Sequence, residues 1–173
     1  LKMRGFASTA QRCIDTAELI MHRAERDDRG ERSKKRATRV IEAFGVFYAL
    51  DQVRMWKGLQ AADGLDSFVA KWLKGEVAPD VMMPARVAVT QILSVMRGRL
   101  VTMSSEKGKS HSLDLCVSHE MTLYLVRQAI GLETTFERPV NYLDGLLMFE
   151  TDGELRVSSH YGNEVCVDDF VNT

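Results

Sequence analysis

Three consecutive residues, Ser118-His119-Glu120, set a hydroxyl, an imidazole and a carboxylate side by side. An imidazole changes charge near neutral pH, and a carboxylate next to it can hold or deliver a proton. The pair therefore suits general acid–base chemistry. The same residues also have an ordinary structural use. A histidine at a strand end can simply satisfy its own hydrogen bonds, and a glutamate in the first turn of a helix is favoured by the helix dipole with no chemistry at all. The flanking pattern is what gives the three residues a setting.

Leu113, Leu115 and Val117 alternate with Asp114 and Cys116, a period of two that predicts a strand. Thr122, Leu123, Leu125, Val126, Ala129 and Ile130 then follow at helical spacing, and Gly131 supplies a stop. Ser118, His119 and Glu120 thus fall where a strand ends and a helix begins. In open α/β sheets ligands bind just outside such carboxyl ends of strands. The free amides of the first helical turn favour an anion there, phosphate included.

A second corner of the same kind lies near the start of the chain. Lys2 to Ser8 reads as a short strand with Met3 and Phe6 as its larger apolar members. Ser8 or Thr9 can cap the helix that follows, predicted from about Ala10 to Arg26 with Cys13, Ala17, Ile20, Met21 and Ala24 as its apolar stripe. Arg12 falls in the first turn, where the helix dipole disfavours a cation. It is either an exposed arginine reaching solvent or a cation held at a strand-to-helix corner to bind an anion.

The remaining elements follow from spacing and turn chemistry. Arg39 to Leu50 is apolar enough for either a strand or a short helix. Helices are expected over Asp51 to Leu59, over Leu65 to Leu73 with an end at Gly75, and from about Pro84 to Arg99 with Val87, Ile92, Leu93 and Met96 as the stripe. Met103 to Ser112 reads as a polar surface loop, and Glu133 to Asp144 as mostly loop. Gly145 to Glu150 and Glu154 to His160 form a hairpin across Asp152-Gly153. The last residues carry no clear signal. Strands alternating with helices, closed by a hairpin, favour an α/β sandwich over a helical bundle.

Composition excludes some classes. Hydrophobic content of 45% with 27% charged residues is ordinary for a globular chain with one core, so residues 1–173 are expected to form a single domain. A net charge of -1 gives no global pull toward nucleic acid or anionic membrane, and no apolar run approaches a bilayer span. The basic residues between Arg23 and Arg39 are interleaved with acids and lack aromatic partners, which favours a solvated helix end and loop over a nucleic-acid surface. Cys13, Cys116 and Cys166 are odd in number and without ligand spacing, consistent with a reducing, cytoplasmic setting. His22, His111, His119 and His160 show no zinc-type spacing, so no metal site is expected.

Two stretches together resemble one family. Ser8-Thr-Ala-Gln-Arg12-Cys-Ile-Asp-Thr16-Ala17 looks like the S-x-x-x-R-x-x-x-T-A segment of the histidine phosphatase superfamily, which includes phosphoglycerate mutases and histidine acid phosphatases. Ser118-His119-Glu120-Met-Thr-Leu looks like that family's second histidine motif, and Val140 to Glu150 resembles the strand leading out of it. The resemblance spans Leu1 to about His160. It implies a three-layer α/β/α sandwich of the phosphoglycerate mutase type, with a phosphate pocket at the strand ends. It implies hydrolysis or transfer of a phosphoryl group from a phosphomonoester through a phosphohistidine, with no metal or other cofactor. By the same resemblance Arg12 binds the phosphoryl group, Ser8 contributes to substrate binding, His119 is the second histidine and Glu120 donates a proton to the leaving oxygen. Asp is usual at that last position in the acid phosphatase branch. In the mutase branch the donor is a glutamate from an earlier loop, for which Glu42 is a weak match.

The main departure from the family is that the chain contains no Arg-His-Gly. The family carries its nucleophilic histidine there, on a strand before the segment matched at Ser8. With a first residue of Leu1, the expectation is a chain lacking its N-terminal Arg-His-Gly segment. The alternative is a non-catalytic relative that holds a phosphorylated ligand with Arg12 and His119. Substrate identity and oligomeric state are left open.

Overall fold

The computed structural model of the chain describes residues 2–24, 37–105, 112–132 and 139–171. They fall into two compact units, one from residues 1–46 with 101–119 and one from residues 47–100 with 120–173. The chain is mixed α/β, with one three-stranded sheet in each unit.

In the first unit, β1 (Lys2–Ala7) lies between β2 (Arg39–Val40) and β3 (Ser112–Val117), and all pairing is parallel. Met3 is opposite Leu113, Gly5 opposite Leu115 and Ala7 opposite Val117, so these six residues share one face. Helix α1 (Gln11–Ala24) packs on that face. Cys13, Ala17 and Met21, one turn apart, are its buried residues, and Ala7 joins Cys13 and Ala17 in a core flanked by Leu115 and Val117. Gly5 allows the close approach, since a Cβ there would run into the Met21 thioether. Phe6 is buried on the opposite face.

That opposite face departs from a simple inside–outside alternation. All six residues of β3 are half-buried. Asp114 does not face solvent. Arg4 stands opposite it on β1 and donates to both carboxylate oxygens, Nε to Oδ1 at 2.6 Å and Nη2 to Oδ2 at 3.1 Å.

The second unit begins at Phe47. Asp51 caps α2 (Gln52–Ala61) by accepting from the Arg54 amide, and α3 (Gly64–Leu73) and most of α4 (Ala85–Ser105) follow. Helix α5 (Glu120–Ala129) packs against α3. A meander, β4 (Leu146–Thr151), β5 (Glu154–Ser159) and β6 (Glu164–Cys166), leads to the short α6 (Asp168–Val171). The hairpin turn is the expected one. Asp152 and Gly153 both take positive φ, 53° and 79°, as a two-residue turn of the right twist requires.

Tyr48 is the largest fully buried side chain of this unit. Its ring lies 5.0 Å from that of Trp72, and its hydroxyl is 2.9 Å from the Thr122 hydroxyl. Burial pushes the phenol up to about 12, so ionisation would oppose folding as pH climbs beyond the ordinary value of 10. Tyr48→Phe takes away this partner from Thr122, which is only 2% exposed. The expected loss is about 1–2 kcal/mol, seen as a lower urea midpoint at unchanged m-value. An unmoved midpoint would mean that the bond contributes nothing net.

Several sequence expectations need correction. Helix α4 runs to Ser105, through the start of the expected loop, because Leu100 to Ser105 holds no glycine or proline to stop it. Its buried stripe is Ala85, Ala88, Val89, Ile92 and Leu93, whereas Val87, off that spacing, is 45% exposed. Arg39 to Leu50 is neither one strand nor one helix: β2 is two residues long and a single 3-10 turn, Glu42–Phe44, follows. The C-terminal β6 and α6 were not anticipated. The charged stretch beyond Ala24, His111 and the segment 133–138 lie outside the described residues. Among the described residues no helix is long and apolar enough to cross a membrane.

Candidate functional site

Parallel pairing of β1 with β3 places their carboxyl ends side by side, with Ala7 level with Val117. Both strands then pass into their next segments at the same edge of the sheet. Ser8 extends the pairing by one step, its amide donating to the Val117 carbonyl at 3.0 Å. From this edge α1 carries Arg12 in its first turn, and His119 follows β3 by two residues. The two side chains meet: Arg12 Nη2 lies 3.0 Å from His119 Nδ1.

The chemistry of the pair fixes its protons. A guanidinium has donors only. Nδ1 must therefore be the acceptor, and in the neutral ring the proton sits on Nε2. Burial, and then the neighbouring Arg12 charge, hold His119 below the ordinary 6.5. An imidazole that is neutral at physiological pH beside a fixed cation is poised to gain a proton once an anion arrives.

The other candidates occupy distinct places. Ser8 is fully buried, and its hydroxyl accepts from the Ala10 amide at 3.3 Å, shaping the turn into α1. Glu120 is exposed and is the first residue of α5, at the start of a segment of the second unit. Glu42 is exposed at the start of the 3-10 turn. Among the described residues, a cleft of about 340 Å3 is lined by Trp72, Met82 and Arg86 among others and one of about 330 Å3 by Arg4, Phe6 and Arg39 among others; neither is lined by Arg12 or His119. The Arg12–His119 contact is open to solvent. No family model, curated protein or solved structure matches this chain.

Two contacts at this edge are not announced by the sequence. The Ser118 hydroxyl donates to the Phe44 carbonyl at 2.6 Å, and the Cys13 thiol reaches the Ser118 carbonyl at 3.5 Å. Ser118 lay inside the recognised motif, but its partner is a backbone oxygen 74 positions away, which no residue type announces. Among the described residues no group of three His, Cys, Asp or Glu is gathered as a metal site would need.

The sign of the pH response follows from the geometry. A dianion beside His119 stabilises the imidazolium, so the bound state has the higher pKa and carries more proton. Sulfate, which does not titrate in this range, is expected to bind more tightly as pH falls from about 8 to about 5. In the unliganded protein the depressed pKa acts oppositely: the unfolded chain takes up the proton first, so stability is lost as pH falls through 6.5. Calorimetry with sulfate across that range tests the first sign, and a flat affinity would remove His119 from the anion site.

Proposed function

We propose that the Arg12–His119 corner binds the phosphoryl group of a phosphomonoester, and that the full gene product hydrolyses or transfers that group through a phosphohistidine. The observation that carries this reading is the 3.0 Å approach of a guanidinium to an imidazole at the carboxyl edge of a parallel sheet. Transferring phosphoryl groups spread charge over equatorial oxygens, and fixed cationic donors stabilise it. Arginine suits the task because its planar fork matches two oxygens at once. The likeness of the Ser8 to Ala17 and Ser118 to Leu123 stretches to the histidine phosphatases supports the same reading, and with it a three-layer fold of the phosphoglycerate mutase type.

In this reading a histidine carried outside residues 1–173 attacks phosphorus. The bond from phosphorus to the ester oxygen breaks, and Glu120 gives that oxygen a proton. Water then attacks the phosphohistidine in a hydrolase, or an acceptor hydroxyl does so in a transferase. Ser8 helps shape the phosphate side of the pocket. Three cysteines outside any disulfide, one of them buried, favour a reducing, cytoplasmic compartment.

The experiment is a phosphomonoesterase assay on the full natural gene product with Arg12→Ala and His119→Ala alongside. Activity that falls at least about a hundredfold in both variants supports catalysis at this corner. An inactive parent that still binds inorganic phosphate through these residues would instead be a phospholigand-binding relative. Glu120→Gln should slow alkyl phosphates more than aryl phosphates, because poor leaving groups need the acid. Equal slowing of both would remove Glu120 from the role of donor.

A further inference from the structure

The carboxyl edge of the first sheet is closed by three tethers. The Ile41 amide donates to the Ala7 carbonyl at 2.8 Å, joining the exit of β2 to the end of β1. The Ser8 amide donates to the Val117 carbonyl, joining β1 to β3. The Ser118 hydroxyl then reaches the Phe44 carbonyl at 2.6 Å, joining the exit of β3 to that of β2 across the end of the central strand. The 3-10 turn that supplies this carbonyl is itself well held. Phe44 is 2% exposed, its amide donates to the Ile41 carbonyl, and the Gly45 amide donates to the Glu42 carbonyl. A Cβ on Gly45 would stand 3.9 Å from both Ser8 Cβ and Thr9 Oγ1, so the turn abuts the very loop that leads to Arg12.

We propose that Ser118 is a positioning residue: its hydroxyl clamps the end of β3 to the Glu42–Gly45 turn and so holds the next residue, His119, with Nδ1 toward Arg12. Ser118 is anchored on both sides, by its hydroxyl to Phe44 and by its carbonyl to the Cys13 thiol of α1. Release of the hydroxyl leaves Ser118 itself held by the weaker thiol contact, one residue beyond the Ser8–Val117 bond. The imidazole then turns toward solvent and the anion site opens out. A serine that merely satisfied a buried carbonyl would contribute to stability without fixing the tautomer of its neighbour.

The inference rests on the phosphate reading for its consequence, but its test does not. Nitrogen NMR of the full-length protein reads the His119 tautomer and titration with no ligand present. Ser118→Ala should lose the defined Nε2–H tautomer and move the His119 titration back toward its ordinary value, while Ser118→Thr, which keeps the donor, restores both. Inorganic phosphate should bind Ser118→Ala about tenfold more weakly, the scale of one lost positioning bond. Should Ser118→Ala not fold, Ser118→Cys, with a weaker donor, should give a partial form of the same shifts. An unchanged tautomer and titration in a variant of lowered stability would overturn the proposal. A parent that binds no phosphate, with His119 still disturbed by Ser118→Ala, would sink the phosphate reading and leave the clamp in place.

Discussion

Arg12→Ala is expected to weaken binding of inorganic phosphate about a hundredfold, the size of losing one charge-assisted, two-pronged contact. The same substitution should raise the His119 pKa, because the Arg12 charge is one of the two influences that hold it down. The rise stops short of 6.5, since burial, the larger influence, stays. Arg12→Lys separates the two effects. A lysine keeps a positive charge near the imidazole but offers a point charge in place of a planar fork. It should hold the His119 titration close to that of the parent and recover only part of the phosphate affinity. Titrations followed by NMR at constant ionic strength read both quantities, and phosphate binding by Arg12→Ala equal to that of the parent would sink the assignment of this corner.

The second large effect is one of stability. Asp114→Ala removes the carboxylate that Arg4 grips with two bonds, within a pair whose side chains are only 20% and 6% exposed. Losing a two-pronged, charge-assisted contact in a largely buried setting is expected to cost about 1–3 kcal/mol. The pair does more than add energy. Arg4 and Asp114 are opposite each other in the ladder, and a slip of one residue would send every side chain of β3 to the other face. The same slip would part Ala7 from Val117 and so misplace His119 relative to Arg12. Asp114→Asn, which keeps an acceptor, should cost less. Arg4→Leu combined with Asp114→Leu should be less damaging than the two single changes summed, because no charge is left buried. Urea denaturation of the single and double variants checks the cycle, and a loss under about 1 kcal/mol for Asp114→Ala would mean that the pair is compensated by water.

The parts of this architecture that could be read in advance are those built by near neighbours along the chain. Helix α1 declares itself through Cys13, Ala17 and Met21, and the hairpin through Asp152-Gly153 between alternating strands. The strand-to-helix corners at Ser8 and His119 are equally local, and the resemblance of the stretches around them to the histidine phosphatases is what suggested that Arg12 and His119 belong together. Other features depend on partners far along the chain. β2 is only two residues long and owes its strand character to Phe6 and Ala7. Asp114 looked like the polar side of a half-exposed strand because nothing in its neighbourhood points to Arg4, 110 positions earlier. The Phe44 carbonyl could not be foreseen as a partner for Ser118, since every residue has a carbonyl.

One consequence of the strand order concerns the chain while it is being made. Synthesis delivers β1 and Arg12 before β3 and His119, which emerge more than a hundred residues later. Until then the side of β1 that β3 covers lacks that partner. Closing so long a loop is slow, and half-made sheets of this kind are aggregation-prone. A nascent chain stalled before Ser112 would therefore lack both β3 and the His119 partner of Arg12. Anion binding would then serve as a timestamp, appearing only after the ribosome has passed His119 and the late strand has docked.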